Sequence, residues 1–153
     1  MAITREDFPL PDITDALVAG YFAGAACHEV RVPKCSACDR WCWYPEPVCP
    51  ACGAPLVWTV TSGRATLFSW AVVWRAFLPA FADIVPFVTA LVALEEAPEV
   101  RIVTLIVDVG PDALRAEMKM KVAFRPLRFS TVPDREVVVP MFRPARKPRK
   151  RTR

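Results

Sequence analysis

The stretch CSACDRWCWYPEPVCPAC, residues 35–52, carries two pairs of cysteines, and their spacing decides how this part of the chain folds. Two residues separate Cys35 from Cys38 and Cys49 from Cys52, and ten residues separate the pairs. A tight turn of this length presents both thiolates to one ion, while amides in the turn donate to the sulfurs. Two such turns complete a tetrahedral four-sulfur shell, so the spacing predicts a structural metal site with no open position.

Zinc is the ion that such a shell is expected to hold, and iron fits the same four sulfurs when expression conditions supply it. The alternatives are reduced cysteines packed as small apolar groups, or a redox pair, but the doubled motif in a proline-rich loop favours metal. Gly53 follows the second turn and permits a left-handed backbone, and Asp39 holds the equivalent position after the first.

Two further cysteines stand outside the motif. Cys42 lies between two tryptophans and is expected to pack in the interior, with a spare ligand role as the alternative. Cys27 adjoins His28, the single histidine of the chain. Neighbouring residues of an extended chain point to opposite faces, which argues against a nucleophile and base sharing a proton.

Outward from the cysteines, the chain is expected to divide into four parts. Residues 1–26 form an arm and an amphipathic helix from Thr14 onward, which Gly20 and Gly24 weaken unless it packs against something. The zinc ribbon is predicted over 27–55, a barrel over 56–142 and a basic, disordered tail over 143–153.

The part from residue 56 onward has the pattern of strands. Ser62-Gly63 is a hairpin signal between the first two strands, and further strands follow at intervals that suit a small barrel. The fold class is therefore mainly β, with a five-stranded OB-type barrel, and an SH3-like barrel is the competing topology. The predicted strands are 56–61, 64–75, 87–95, 100–108, 118–127 and 136–142.

The net charge of +4 belongs to the tail. Residues 143–153 hold seven of the twenty basic residues and no acid, which leaves thirteen basic against sixteen acidic groups elsewhere, a balance of −3. That balance argues against a polyanion groove in the folded part. The alternative function is a module that binds single-stranded nucleic acid through the basic tail.

Several classes of protein are excluded or disfavoured. No stretch reaches the roughly 18 uninterrupted apolar residues of a membrane span, and the N-terminus lacks the pattern of a signal peptide, so a cytoplasmic protein is expected. The motifs of nucleotide-binding loops, serine hydrolases and zinc proteases are absent from the sequence, so we expect no catalytic residues of its own.

Three groups of side chains are candidates for binding. Phe68, Trp70, Val72 and Trp74 alternate along one strand and can stack on bases or fill the core. A basic strand face, a candidate for phosphates, comprises Lys119, Lys121, Arg125 and Arg128. The loop at 76–87 is too apolar for a free surface, and its candidates for contact with a partner or an acyl chain are Phe77, Leu78, Phe81 and Ile84.

Taken together, a ribbon ending in CPACG, then WTVTSGRATLFSWAVV, PFVTALVALEE and a closing VVVPMFRPA resemble one family, over residues 14–144. It is the zinc-ribbon/OB-fold acyl-CoA-associated family, long catalogued as a domain of unknown function. Two departures concern turns: Ala65 replaces the second glycine of the usual G-x-G hairpin, and the glycine before the fifth strand is absent.

The resemblance implies a small partner subunit of a thiolase-like enzyme, forming a hetero-oligomer with a thiolase, a ketoacyl synthase-type enzyme or an aldolase. The catalytic groups would belong to the partner, and this chain would help to form the acyl-CoA channel in fatty-acid, steroid or aromatic acyl metabolism. By the matching motif, the metal role falls on Cys35, Cys38, Cys49 and Cys52.

Overall fold

A computed structural model describes residues 5–146 of the chain. Within these residues there is one α-helix, α1 (Ala19–Ala26). No helix in this part of the chain has the length and apolar character that crossing a membrane requires. Residues 147–153, where most of the predicted basic tail falls, lie outside the described part, as do residues 1–4. The strands are β1 (Val30–Cys35), β2 (Leu56–Thr61), β3 (Arg64–Val73), β4 (Phe87–Leu94), β5 (Arg101–Ile106), β6 (Lys119–Phe129) and β7 (Val132–Pro144).

The first two strands form an antiparallel sheet of their own, in which Val30 lies opposite Thr61. The prediction that residues 56–61 pair with the next strand across Ser62-Gly63 is therefore wrong. The Ser62 amide donates to the carboxylate of Glu96, at 2.6 Å, just beyond the end of β4. That contact anchors the turn to the barrel, so the turn leads from one sheet into the other.

The remaining five strands close into a barrel in the order β3-β4-β5-β7-β6. The pairs are antiparallel except β5 with β7, which run parallel and meet at Ile106 and Phe142. Strand β6 closes the barrel against β3 at residues 64–66. The prediction of a mainly β chain with a five-stranded OB-type barrel is confirmed, while the proposed division of the chain into four parts stays a prediction.

One hydrophobic core serves both the small sheet and the barrel. Val30 and Val32 of β1 are buried in the same cluster as Leu67, Ile102 and Phe142 of the barrel. Each large apolar side chain buried in this way stabilises the fold by about 1.5–3 kcal/mol. Loss of the small sheet would therefore expose part of the core of the barrel.

The helix begins later than predicted, at Ala19, because two aspartates organise the preceding residues into turns. Asp12 accepts hydrogen bonds from the amide and the hydroxyl of Thr14, and Asp15 accepts one from the amide of Leu17. Such local side-chain bonds compete with helix formation. The helix packs against β1 and β7.

Glycine at position 20 has a packing reason. A Cβ atom there would lie 2.3 Å from ring atoms of Trp58 in β2, so the missing side chain lets the helix approach the small sheet. The prediction that this weak helix depends on packing is consistent with that contact.

Gly63→Ala is expected to destabilise the protein strongly. Gly63 has a φ of +69°, and an added Cβ would lie 2.4 Å from Cγ1 of Val122. Strain and overpacking together should lower the free energy of unfolding by about 2–4 kcal/mol, measured by chemical denaturation. Gly110→Ala is the control, since Gly110 has a φ of −74° and nothing within 4 Å of the added atom. Equal stability of the two variants would contradict the prediction.

Candidate functional site

The structure brings the four predicted metal ligands into one cluster. The Sγ atoms of Cys35, Cys38, Cys49 and Cys52 all lie within 4.8 Å of one another. Across the cluster, Cys35 lies 3.5 Å from Cys52, and Cys38 lies 3.7 Å from Cys49. Four thiolates at about 2.3 Å from a tetrahedral zinc ion would stand about 3.8 Å apart, so the donor set fits such an ion.

The local backbone holds the sulfurs in place. The amides of Ala37 and Cys38 each approach the sulfur of Cys35 at 3.4 Å, as a turn around a metal ligand requires. Asp39 and Gly53, one after each turn, both have a left-handed backbone, with φ of 57° and 73°. The conformation that Gly53 was expected to permit is present, and Asp39 adopts it as well although aspartate tolerates it less readily. Lys34 pairs with the exposed Asp39 at 3.2 Å.

Hydrogen bonding and crowding drive the pKa values of the cysteines apart. The amide of Ala51 lowers the pKa of Cys49 to about 6, because it stabilises the thiolate. The amide of Ala54 acts in the same direction on Cys52, but the other three sulfurs outweigh it and raise the pKa of Cys52 to about 12. Sulfurs this close are all thiolates only when a cation lies among them.

The two remaining cysteines lie outside this cluster. Cys42 is buried beside it, and its sulfur approaches the carbonyl oxygen of Arg40 at 3.8 Å. Burial, followed by repulsion from the neighbouring sulfurs, raises the pKa of the Cys42 thiol, which suits a packed neutral group. Cys27 is exposed, and the ring of His28 stacks on Phe124 of β6 at 5.2 Å.

A second feature is an uncharged surface on the outside of the barrel, which we call the apolar sheet face. On β4 and β5 the buried residues alternate with residues that point outward, and the pairing of β3, β4 and β5 places the outward positions side by side. Val103 lies at the centre of this face and is 54% exposed, and Phe68 lies at one side of it and is 48% exposed. The apolar sheet face comprises Phe68, Ser69, Ala71, Val73, Phe87, Thr89, Leu91, Val103 and Leu105.

A bulge in β3 decides which aromatic residues reach this face. The sequence predicts that Phe68, Trp70, Val72 and Trp74 share one face of the strand. The register shifts after Leu67, so Leu67 is buried and Trp70 and Val72 also pack on the core. Phe68 is left outside, and Trp74, just beyond the strand, is 66% exposed. The prediction of a single shared face is wrong, because a bulge reverses the alternation.

The apolar loop after β3 is part packed and part exposed. Phe81 packs edge-on against Phe129, with ring centroids 5.4 Å apart, while Phe77 is 94% exposed and Leu78 is 44% exposed. Ile84 does not line the pocket beside them. This pocket of about 200 Å³ is lined by Val73, Arg75, Ala76, Phe77, Leu78, Phe81 and Phe87.

The four basic residues predicted on β6 have different partners. Lys119 lies at the start of the strand and donates to the hydroxyl of Thr66 at 3.4 Å. Arg128 lies at a second bulge near the end of the strand and pairs with Glu136.

The other two lie beside an arginine that the sequence reasoning missed. Lys121 stands directly opposite Arg143 across β6 and β7. Arg125 pairs with Asp108 at 3.1 Å, and Arg143 approaches the same carboxylate at 3.7 Å. The alternation of residues in β7 could have indicated the side on which Arg143 lies, but the sequence contains no signal for its partner strand.

Two family models match consecutive parts of the chain. One, described as the rubredoxin-like zinc ribbon domain of ChsH2, matches residues 22–57, and the other, the C-terminal OB-fold domain of ChsH2, matches residues 58–125. A DUF35 domain-containing scaffold protein from Methanothermobacter thermautotrophicus is 31% identical over 97 residues, which are 62% of this chain and 71% of that protein.

Solved structures show the same architecture. A chain described as Ltp2-ChsH2(DUF35) aldolase superposes with a TM-score of 0.75 and 29% sequence identity, covering 89% of this chain and 100% of that one. A DUF35 protein of unknown function from Sulfolobus solfataricus shares the fold, with a TM-score of 0.54 and 17% identity over 72% of this chain and 80% of that one.

Proposed function

Because this chain belongs to the DUF35 family of zinc-ribbon and OB-fold proteins, we propose that it is a non-catalytic subunit that binds acyl-CoA and bridges or activates a thiolase-like enzyme. One relative is described as a scaffold protein and the similar structure as an aldolase with a ChsH2 component. Both descriptions support a role as a partner or scaffold subunit in a hetero-oligomer.

The observation that carries the proposal is the apolar sheet face. Outward positions of a barrel strand that face water are normally polar, since alternation places the apolar side chains inside. Here the nine residues of the face carry no charge, and Arg101 lies at its edge with its guanidinium 3.8 Å from the centroid of the Phe68 ring. A surface of this kind is typical of a protein–protein interface.

The apolar sheet face continues into two other apolar depressions. Phe87 and Val73 belong both to the face and to the pocket at Phe77. On its other side, Val103 and Thr89 also line a groove of about 340 Å³ between the barrel, the N-terminal arm and α1. We infer that the enzyme partner binds the apolar sheet face. The pocket at Phe77 would contact either the partner or an acyl chain.

The cysteine cluster would hold zinc as a structural ion, and iron would fit the same sulfurs. Its four ligands leave no position for substrate, so the metal would stabilise the ribbon and take no part in a reaction. The phosphates of CoA would lie on basic groups of β6, where Lys119, Lys121, Arg125 and Arg128 are the candidates.

The proposal is tested by purifying the tagged chain from its native lysate and identifying what accompanies it by mass spectrometry, at moderate and at high salt. A second chain ending at Arg146 removes only residues outside the described part, since Arg143 and Pro144 belong to β7. We expect a thiolase-like protein in near-equal amount, retained at high salt and without the tail, because an apolar contact is insensitive to screening.

Two results would contradict the proposal. Recovery of nucleic acid and ribosomal proteins, lost on adding salt or on removing the tail, would favour a nucleic-acid-binding module. A chain that remains alone at both salt concentrations would show that the apolar sheet face serves no stable partner. Neither result would affect the assignment of the metal site, because that assignment rests on the geometry of the four cysteines.

A further inference from the structure

We propose that Lys121, Arg125 and Arg143 form a binding site for a phosphate monoester, with the Asp108 carboxylate occupying it until the phosphate arrives. The proposal deepens the proposed function, because CoA is one source of such a phosphate. It also narrows that function, since it includes Arg143 and leaves out Lys119 and Arg128.

The register of the barrel creates an excess of positive charge at this place. Lys121 and Arg143 are directly opposite in adjacent strands, so both side chains lie on the same side of the sheet. Like charges in such cross-strand positions destabilise a sheet unless an anion lies between or beside them. Arg125 lies on the same side of β6, two alternations further along the strand.

One carboxylate serves two of the three cations, Arg125 and Arg143. Both oxygens of Asp108 face Arg125, at 3.1 and 3.5 Å, and Arg143 reaches the same group at 3.7 Å, longer than a hydrogen bond. Among residues 5–146, the Nε atom of Arg143 is buried and has no hydrogen-bond partner. A buried guanidinium donor without an acceptor needs an explanation, and an oxyanion bound beside this side chain is one.

Phosphate satisfies this arrangement better than a carboxylate does. A phosphate monoester carries close to two negative charges and three acceptor oxygens, whereas Asp108 supplies one charge. Arginine forks match phosphate oxygens in pairs, and a lysine adds a third donor as a point charge. Arg128 is separate from this arrangement, since it lies at another part of the strand, beside Glu136.

The test uses the full-length protein and adenosine 3′,5′-bisphosphate as the probe, with binding measured by isothermal titration calorimetry. Arg143→Met is expected to weaken binding about tenfold or more, because charge-assisted hydrogen bonds to phosphate are lost. Arg135→Met is the matched control, because Arg135 is exposed near the other end of β7, and it should bind as the wild type does. Inorganic phosphate and a short single-stranded DNA serve as competitors.

Asp108→Asn separates a binding site from a merely structural cluster. Asp108 has a φ of +60°, which asparagine tolerates, so the turn should be kept while the competing charge is removed. We expect this variant to bind the bisphosphate more tightly than the wild type, by about threefold to tenfold.

Three results would overturn the site. They are no binding of the bisphosphate to the wild type, equal losses in the Arg143 and Arg135 variants, or weaker binding after Asp108→Asn. Competition by single-stranded DNA at lower concentration than by inorganic phosphate would also count against a monoester site. Because capture of the thiolase-like partner is a separate measurement, failure of the site and failure of the proposed function can be distinguished.

Discussion

Replacing Cys49 with serine is expected to release the bound metal and to unfold the ribbon. Serine is a poor ligand in a four-sulfur shell, and the free energy of binding a structural zinc ion, about 10–16 kcal/mol in small fingers, is also folding free energy. The effect should reach the barrel, since Val30 and Val32 of β1 lie in the shared core. A loss of about 4–5 kcal/mol would lower Tm by roughly 10–20 °C.

The measurement is metal content per chain by plasma mass spectrometry, with Tm from circular dichroism. The wild type should hold one equivalent and Cys49→Ser close to none. Cys42→Ala is the matched control, because Cys42 is buried beside the cluster but lies outside the group of four. If Cys49→Ser retains a full equivalent, or if Cys42→Ala loses it, the assignment of the ligands is wrong.

Placing a charge in the apolar sheet face is expected to abolish capture of the enzyme partner. In Val103→Asp, a carboxylate would be buried without a counter-ion on association, which should weaken the complex about 100-fold or more. Phe77→Ala should weaken it about tenfold to 100-fold while leaving stability unchanged, because the Phe77 side chain is 94% exposed. Both effects can be measured as loss of the co-purified partner and by surface plasmon resonance.

Val57→Asp provides the control for this experiment. Val57 is 54% exposed, as Val103 is, but it lies on β2 in the small sheet. The added charge is the same and the exposure is the same, so only the location differs. Equal losses in the two variants would show that the apolar sheet face has no special role in assembly.

Features that depend on neighbours along the chain were accessible from the sequence. The spacing of the cysteines predicts which sulfurs meet, because a turn of four residues contains all the geometry that a pair of ligands needs. The left-handed backbone expected at Gly53 follows from the same turns, and Asp39 has it too. The strands from β2 onward were also placed within a few residues, whereas β1 (Val30–Cys35) was not predicted.

Features that depend on distant partners were not accessible. Ser62-Gly63 does separate two strands, but β2 pairs with β1, more than twenty residues before it in the chain, and not with β3. The outward position of Phe68 depends on a bulge, which arises where two strands must keep pairing around a curved barrel.

By itself, then, the sequence determined a four-cysteine ribbon followed by a five-stranded barrel, since spacing and alternation act over a few residues. Only the tertiary structure decided which surface is free of charge and that Arg143 stands opposite Lys121. The physical reason is register: a shift of one residue turns every side chain of a strand to its other face, and the register is set by the packing of strands far apart in the chain.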